Sequence, residues 1–210
     1  MKRNGAVGIV VLVALVVAVG VSFVGRDSGG GSDETASAAT TTSTTAGVAD
    51  TGSPTASTPG PTECAPLGDL PAGVADKPTT VDVPTEPTTG DVVTTVLQPG
   101  TGAEVTDASY VTVDYLGISC SSGQQFDSSW DRGEPITIAM PQATPTDTAF
   151  TVIDGWNQGL LGQQQGALVQ LDIPSDLAYG EQGNGGTIAP NDPLTFVIRI
   201  REVSDTPPSS

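Results

Sequence analysis

Residues 109–117 read SYVTVDYLG, and their alternation decides the fold class. Val111, Val113 and Tyr115 fall on one side of an extended chain and Thr112 and Asp114 on the other, the two-residue period of a strand with one buried face. Two later stretches repeat it. In GALVQLDIP (166–174) Ala167, Val169, Leu171 and Ile173 share a face; in PLTFVIRI (193–200) Leu194, Phe196, Ile198 and Ile200 do, leaving Arg199 outside. A further strand pattern begins near Asp91 with DVVTTVL. The one good helical stretch between them is VIDGWNQGLLGQ, expected to start near Gly155 and to be ended by Gly162. The reading is an α+β domain, a mostly antiparallel sheet with one short helix against it.

Upstream the chain changes character. Ala6 to Val24 carries no charge and follows Lys2 and Arg3. As a helix this stretch would span roughly 28 Å, close to the roughly 30 Å of a bilayer core. Two readings of residues 1–26 stay open: an uncleaved single-pass membrane anchor, or a signal peptide cut after small residues such as Ala18 and Gly20. Both keep Lys2 and Arg3 inside and put the rest outside, so an extracytoplasmic protein is expected, anchored or secreted. Residues 27–62 are Gly, Ser, Thr, Ala and Pro with almost nothing apolar to bury, and read as a disordered tether. A leader over 63–90, the folded domain over 91–203 and a disordered tail over 204–210 complete the division.

The chain has two cysteines, Cys64 and Cys120, both on the exported side. In an oxidising compartment a disulfide between them is the default, and it would tie the leader to the domain. The alternative is that Cys64 sits in a loose leader and pairs elsewhere.

Charge and composition remove several function classes. Net charge is -17, there is no histidine, and beyond Arg26 the only basic residues are Lys77, Arg132, Arg199 and Arg201. A basic stripe for phosphates cannot be assembled, so nucleic acid is not an expected partner. Without histidine, Ser-His and Cys-His nucleophiles and ordinary His-based metal sites are excluded, and no calcium-loop pattern or phosphate-cradling glycine loop occurs. No cofactor is expected, no metal either, and a monomer is.

This makes FDSSWDRGEPITI (126–138) conspicuous, since a chain poor in aromatic and basic residues gathers Phe126, Asp127, Trp130 and Arg132 there. VDYLG, FDSSWDRG, VIDGWNQGL, IPSDLAYG and GTIAPNDPLTFVI occur in that order, and over about Gln98 to Val203 the chain resembles the FKBP-type peptidyl-prolyl cis-trans isomerases. The resemblance implies a five-to-six-stranded antiparallel sheet wrapped around one short helix, with an apolar pocket between them. It implies Tyr179, Asp127, Phe126 and Trp156 as catalytic residues, and Tyr115, Arg132, Ile136, Val152, Ile153, Ile188 and Phe196 as substrate-binding ones. Trp156 would floor the pocket, and Phe126, Phe196 and Tyr115 would wall it. Asp127 would lie beside the bound carbonyl, paired with Arg132. The Tyr179 hydroxyl and the Ile153 N–H would hold the peptide carbonyls. Trp130 falls outside the family's pocket set and reads as a rim aromatic or as local packing.

The implied activity is isomerisation of X-Pro bonds in exported proteins, with proline-containing segments as partners and the family's macrolide inhibitors as possible ligands. A non-catalytic proline-binding or chaperone module would keep the same pocket, and a purely structural surface protein would use these residues as core filler. The sequence departs from the family at Ile136, where an aromatic is common, at Ala189-Pro190 in place of Pro-Pro, and in the longer connection MPQATPTDTAFT (140–151). These departures bear on inhibitor affinity and substrate preference.

Overall fold

The structure, a computed structural model, describes residues 58–208. The expected apolar segment, most of the tether and the last two residues of the tail lie outside the described residues. Among the described residues no helix is long and apolar enough to cross a membrane.

Seven strands form one sheet: β1 (Val93–Gln98), β2 (Tyr110–Ser119), β3 (Gln125–Ser128), β4 (Ile136–Ala139), β5 (Ala149–Phe150), β6 (Leu168–Ile173) and β7 (Leu194–Ser204). Their spatial order is β1-β6-β7-β2-β4-β5, with β3 paired to β2. Three expectations are corrected here. The sheet has seven strands instead of five or six, because β5 forms inside the long connection and adds a parallel pairing with β4. Nor does one helix stand alone among the described residues: α1 (Ser129–Arg132) precedes α2 (Asp154–Leu160), and two short 3₁₀ turns follow β6. Finally, β7 runs to Ser204, one residue into the expected tail.

The alternation quoted at the outset sorts the two faces. Val111, Val113, Tyr115, Val169, Leu171, Ile173, Leu194, Phe196, Ile198 and Ile200 are buried in one core with Trp156 and Leu160 of α2. The helix approaches the sheet closely because it turns glycines toward β6. A Cβ at Gly155 would lie 2.3 Å from Ile173 Cγ2, and one at Gly159 would lie 2.6 Å from Leu171 Cδ2.

The opposite face is covered as well. Leu116, Ile118 and Val197 pack there with Trp130 and with Leu67, Leu70, Val81 and Val83 of the leader. Each Leu or Val fully removed from water on this face contributes about 1.5–3 kcal/mol, which a loose leader would forgo. Backbone bonds fix the leader's path: Cys64 N–H donates to Thr85 O at 2.9 Å, Ala65 N–H to Cys120 O at 2.7 Å, and Gly68 N–H to Gly123 O at 2.8 Å. The Gln170 side chain donates to Asp82 O at 2.8 Å, and Cys64 is disulfide-bonded to Cys120.

Candidate functional site

The turn that follows β3 orients the site. Ser128 is extended and caps α1, its hydroxyl accepting from Asp131 N–H at 3.3 Å. Gly133 ends the turn in the left-handed region at φ 71°, donating its N–H to Trp130 O at 3.0 Å. Four consecutive side chains then go to four places. Ser129 Oγ accepts from Tyr115 N–H at 2.8 Å and donates to Asp114 at 3.2 Å, anchoring the turn to β2. Trp130 is buried in the core behind the sheet, so of its two expected places packing is the one it takes and the rim is not. Asp131 meets Lys77 of the leader, and Arg132 reaches the pocket edge.

At that edge three polar groups close a triangle. Arg132 Nη1 donates to Asp127 Oδ1, Arg132 Nη2 donates to the Tyr115 hydroxyl at 2.9 Å, and that hydroxyl donates to Asp127 Oδ2. The guanidinium carbon also lies 5.5 Å from the Tyr115 ring centre, within cation–π range. Burial, joined by the Asp127 carboxylate, pushes the Tyr115 hydroxyl far above the ordinary tyrosine range against the pull of Arg132. Burial works against the Arg132 charge, but Tyr115 and Asp127 more than offset it and raise its pKa.

Behind the triangle lies a cavity of about 280 Å³, lined by the expected Tyr115, Phe126, Asp127, Ile136, Val152, Ile153, Trp156, Tyr179, Ile188 and Phe196. Arg132 stands at its edge and is not part of the lining. The aromatic rings meet edge to face: Tyr115–Trp156 at 5.2 Å and 80°, Trp156–Phe196 at 5.2 Å and 83°, Phe126–Phe196 at 5.6 Å and 89°. The Ile153 carbonyl opens α2, accepting from Trp156 N–H at 3.0 Å, while the Ile153 N–H has no partner among the described residues and is free to donate. Burial raises the Tyr179 hydroxyl, while the neighbouring Asn184 side chain opposes the shift.

Sequence reasoning missed Asn184, Gly185 and Thr187, which also line the cavity. The only signal was the run GNGGT (183–187) just before the expected Ile188. It also missed Gly117, the last residue of the opening stretch. A Cβ there would lie 2.5 Å from Phe126 Cζ and 2.8 Å from Phe196 Cε1, so the absence of a side chain is what lets both rings stand in the wall.

The family model for FKBP-type peptidyl-prolyl cis-trans isomerase matches residues 102–201. An FK506-binding protein of Streptomyces anulatus is 37% identical over 121 residues, covering 57% of this chain and 92% of that protein. The chain belongs to the FKBP-type peptidyl-prolyl cis-trans isomerase family. That family makes it an enzyme of the peptidyl-prolyl isomerase class. Another FKBP-family relative, an FK506-binding protein of Neisseria meningitidis, is 36% identical over 114 residues, 54% of this chain and 97% of its own length. The crystal structure of FkpA from Escherichia coli shares 34% identity over 55% of this chain and 49% of that one, with a TM-score of 0.48. The FKBP match at 102–201 includes Trp130 but leaves out the leader, so the leader's share of the covered second face lies outside it.

Proposed function

We propose that the chain isomerises X-Pro bonds of exported polypeptides, acting as a monomer outside the cytoplasmic membrane. The observation that carries this reading is the apolar box of Tyr115, Phe126, Trp156 and Phe196, bordered by the Arg132–Asp127–Tyr115 triangle. Twisting an X-Pro bond costs about 18–20 kcal/mol because amide resonance is lost, and it consumes no nucleophile, acid or metal. A twisted amide is less polar than a planar one. A dry aromatic cavity therefore lowers the twisted form relative to the ground state.

In this reading the proline ring sits over Trp156, and the Tyr179 hydroxyl and the Ile153 N–H each hold a peptide carbonyl while the ring side rotates. Asp127 faces the reacting carbonyl, its charge balanced by Arg132. The extracytoplasmic placement is supported by the Cys64–Cys120 disulfide and by the basic start and apolar run of residues 2–24. The same cavity would accept a macrolide of the kind named for the FK506-binding relatives, with less wall contact at Ile136 than an aromatic would give.

A protease-coupled isomerisation assay on short X-Pro peptides, with the full chain, tests the proposal. Acceleration over the uncatalysed rate is expected. A folded chain that binds these peptides without accelerating them is instead a proline-binding module.

A further inference from the structure

The leader that covers the back of the sheet is in direct contact with the segment that builds the pocket rim. Lys77 is buried, its side chain only 2% exposed, and both Asp131 oxygens accept from its Nζ at 2.7 Å. Charged side chains are almost never buried this far unless a partner compensates, so this lysine is committed to Asp131. Asp131 Oδ2 also accepts from Gln125 Nε2 at 2.7 Å, and the Asp131 N–H donates to the Ser128 cap. The residue next in sequence is Arg132, which holds Asp127 and Tyr115 together at the pocket edge. Trp130, on the other side of Asp131, is packed among leader residues. The turn is thus gripped from behind by the leader at two adjacent positions, and its last side chain sets the rim in front.

We propose that Lys77 is a positioning residue for the isomerase site: by holding Asp131 it fixes the α1 turn so that Arg132 clamps Asp127 and Tyr115 in the geometry the substrate meets. Lys77 is not among the residues that line the cavity, and it lies outside the matched family region, so its effect runs through Arg132. The inference rests on the isomerase reading for its kinetic consequence but not for its structural one.

The test uses the full chain and two readouts. One is the set of NMR signals from the Arg132 Nη hydrogens, which are resolved when both Nη groups are clamped and average together when the guanidinium rotates; Arg132→Leu assigns them by their loss. The other is kcat/KM on an X-Pro peptide for Lys77→Met, Arg132→Leu and the double variant. Lys77→Met is expected to collapse the Arg132 signals and to lower kcat/KM about two- to tenfold, and the double variant to be no worse than Arg132→Leu alone, since coupled residues are non-additive. Resolved Arg132 signals in Lys77→Met, or losses that multiply in the double variant, would overturn the proposal. Should Lys77→Met fail to fold, Lys77→Met combined with Asp131→Leu removes both charges, leaving neither without its partner, and is read by the same outcomes. If the unmodified chain does not isomerise, the proposed function fails, and the Arg132 signals alone decide the role of Lys77.

Discussion

Gly117→Ala offers the sharpest test of the wall geometry. Gly117 lies in β2, opposite Phe196 of β7 and Asp127 of β3, so an alanine meets no backbone penalty there and every effect comes from its methyl group. That methyl would lie 2.5 Å from Phe126 Cζ, 2.8 Å from Phe196 Cε1 and 3.0 Å from Phe126 Cε1, where ordinary contact begins at 3.4 Å. One ring must therefore retreat by roughly 1 Å, a displacement that packed cores resist. Phe196 is buried in the main core and cannot yield, whereas Phe126 is half-buried with the cavity beside it. The Phe126 ring should move into the pocket. Overpacking of this kind costs about 1–3 kcal/mol, which in a domain of this size lowers Tm by roughly 2–12 °C. A wall displaced by about that distance in front of the reacting bond should cost kcat/KM roughly ten- to hundredfold. The assays are thermal unfolding and protease-coupled isomerisation on the same preparation. Adding Phe126→Leu, which removes the two clashing atoms of the Phe126 ring and leaves only Phe196 Cε1, should make Gly117→Ala cheaper in stability than it is alone. A Gly117→Ala chain with unchanged midpoint and activity would refute the reasoning, because the space between the rings would then be open.

Three further outcomes are expected. Tyr179→Phe keeps the ring and removes one neutral hydrogen bond, so kcat/KM should fall about two- to twelvefold with little change in Tm; parallel losses in both would mark Tyr179 as structural. Reducing Cys64–Cys120, 56 residues apart, removes about 4 kcal/mol in the chain-entropy model and should loosen the leader, read as faster amide exchange over residues 64–83 and a lower Tm in reductant. Asp172 is buried behind the sheet, accepting from Thr195 Oγ1 at 2.8 Å. Its burial raises its pKa against the pull of Thr195 and Gln170, and nearby Asp82 adds to the rise. A raised folded pKa means that the folded state binds the proton more tightly, so the contribution of Asp172 to stability declines as pH rises from about 3.9 through the folded value. Asp172→Asn should therefore gain stability relative to the unmodified chain across that window, as denaturant midpoints at a series of pH values would show; a pH-independent difference would contradict the assignment.

How much of this was legible in the sequence varies by element. The three long strands could be read because each has one face against the main core, and a two-residue period survives wherever one face is buried and the other is not forced to match it. β5 could not be read: two residues have no period, and Ala149–Phe150 becomes a strand only because β4 lies alongside. α1 was equally opaque, a four-residue turn whose Ser cap and terminal Gly are also loop signals. Among the site residues, those carried by the ordered motifs all came to one cavity or its edge, while Asn184 and Thr187 had only a glycine-rich run to announce them.

By itself the sequence determined the chemistry available: no histidine, few cations, a set of aromatics at strand and helix positions, and two cysteines able to pair. Those are properties of residue type and short-range order, which a linear reading captures. The tertiary structure alone decided which side of the sheet each remaining group served. Trp130 and Trp156 are both buried tryptophans, yet one packs behind the sheet under the leader and the other floors the cavity in front. Lys77 and Asp131 are 54 residues apart, and nothing local distinguishes them from surface charges until the leader folds across the back and shuts them away from water. Burial is set by what long-range packing brings together, so the same side chain can be rim, filler or anchor until the whole chain is in place.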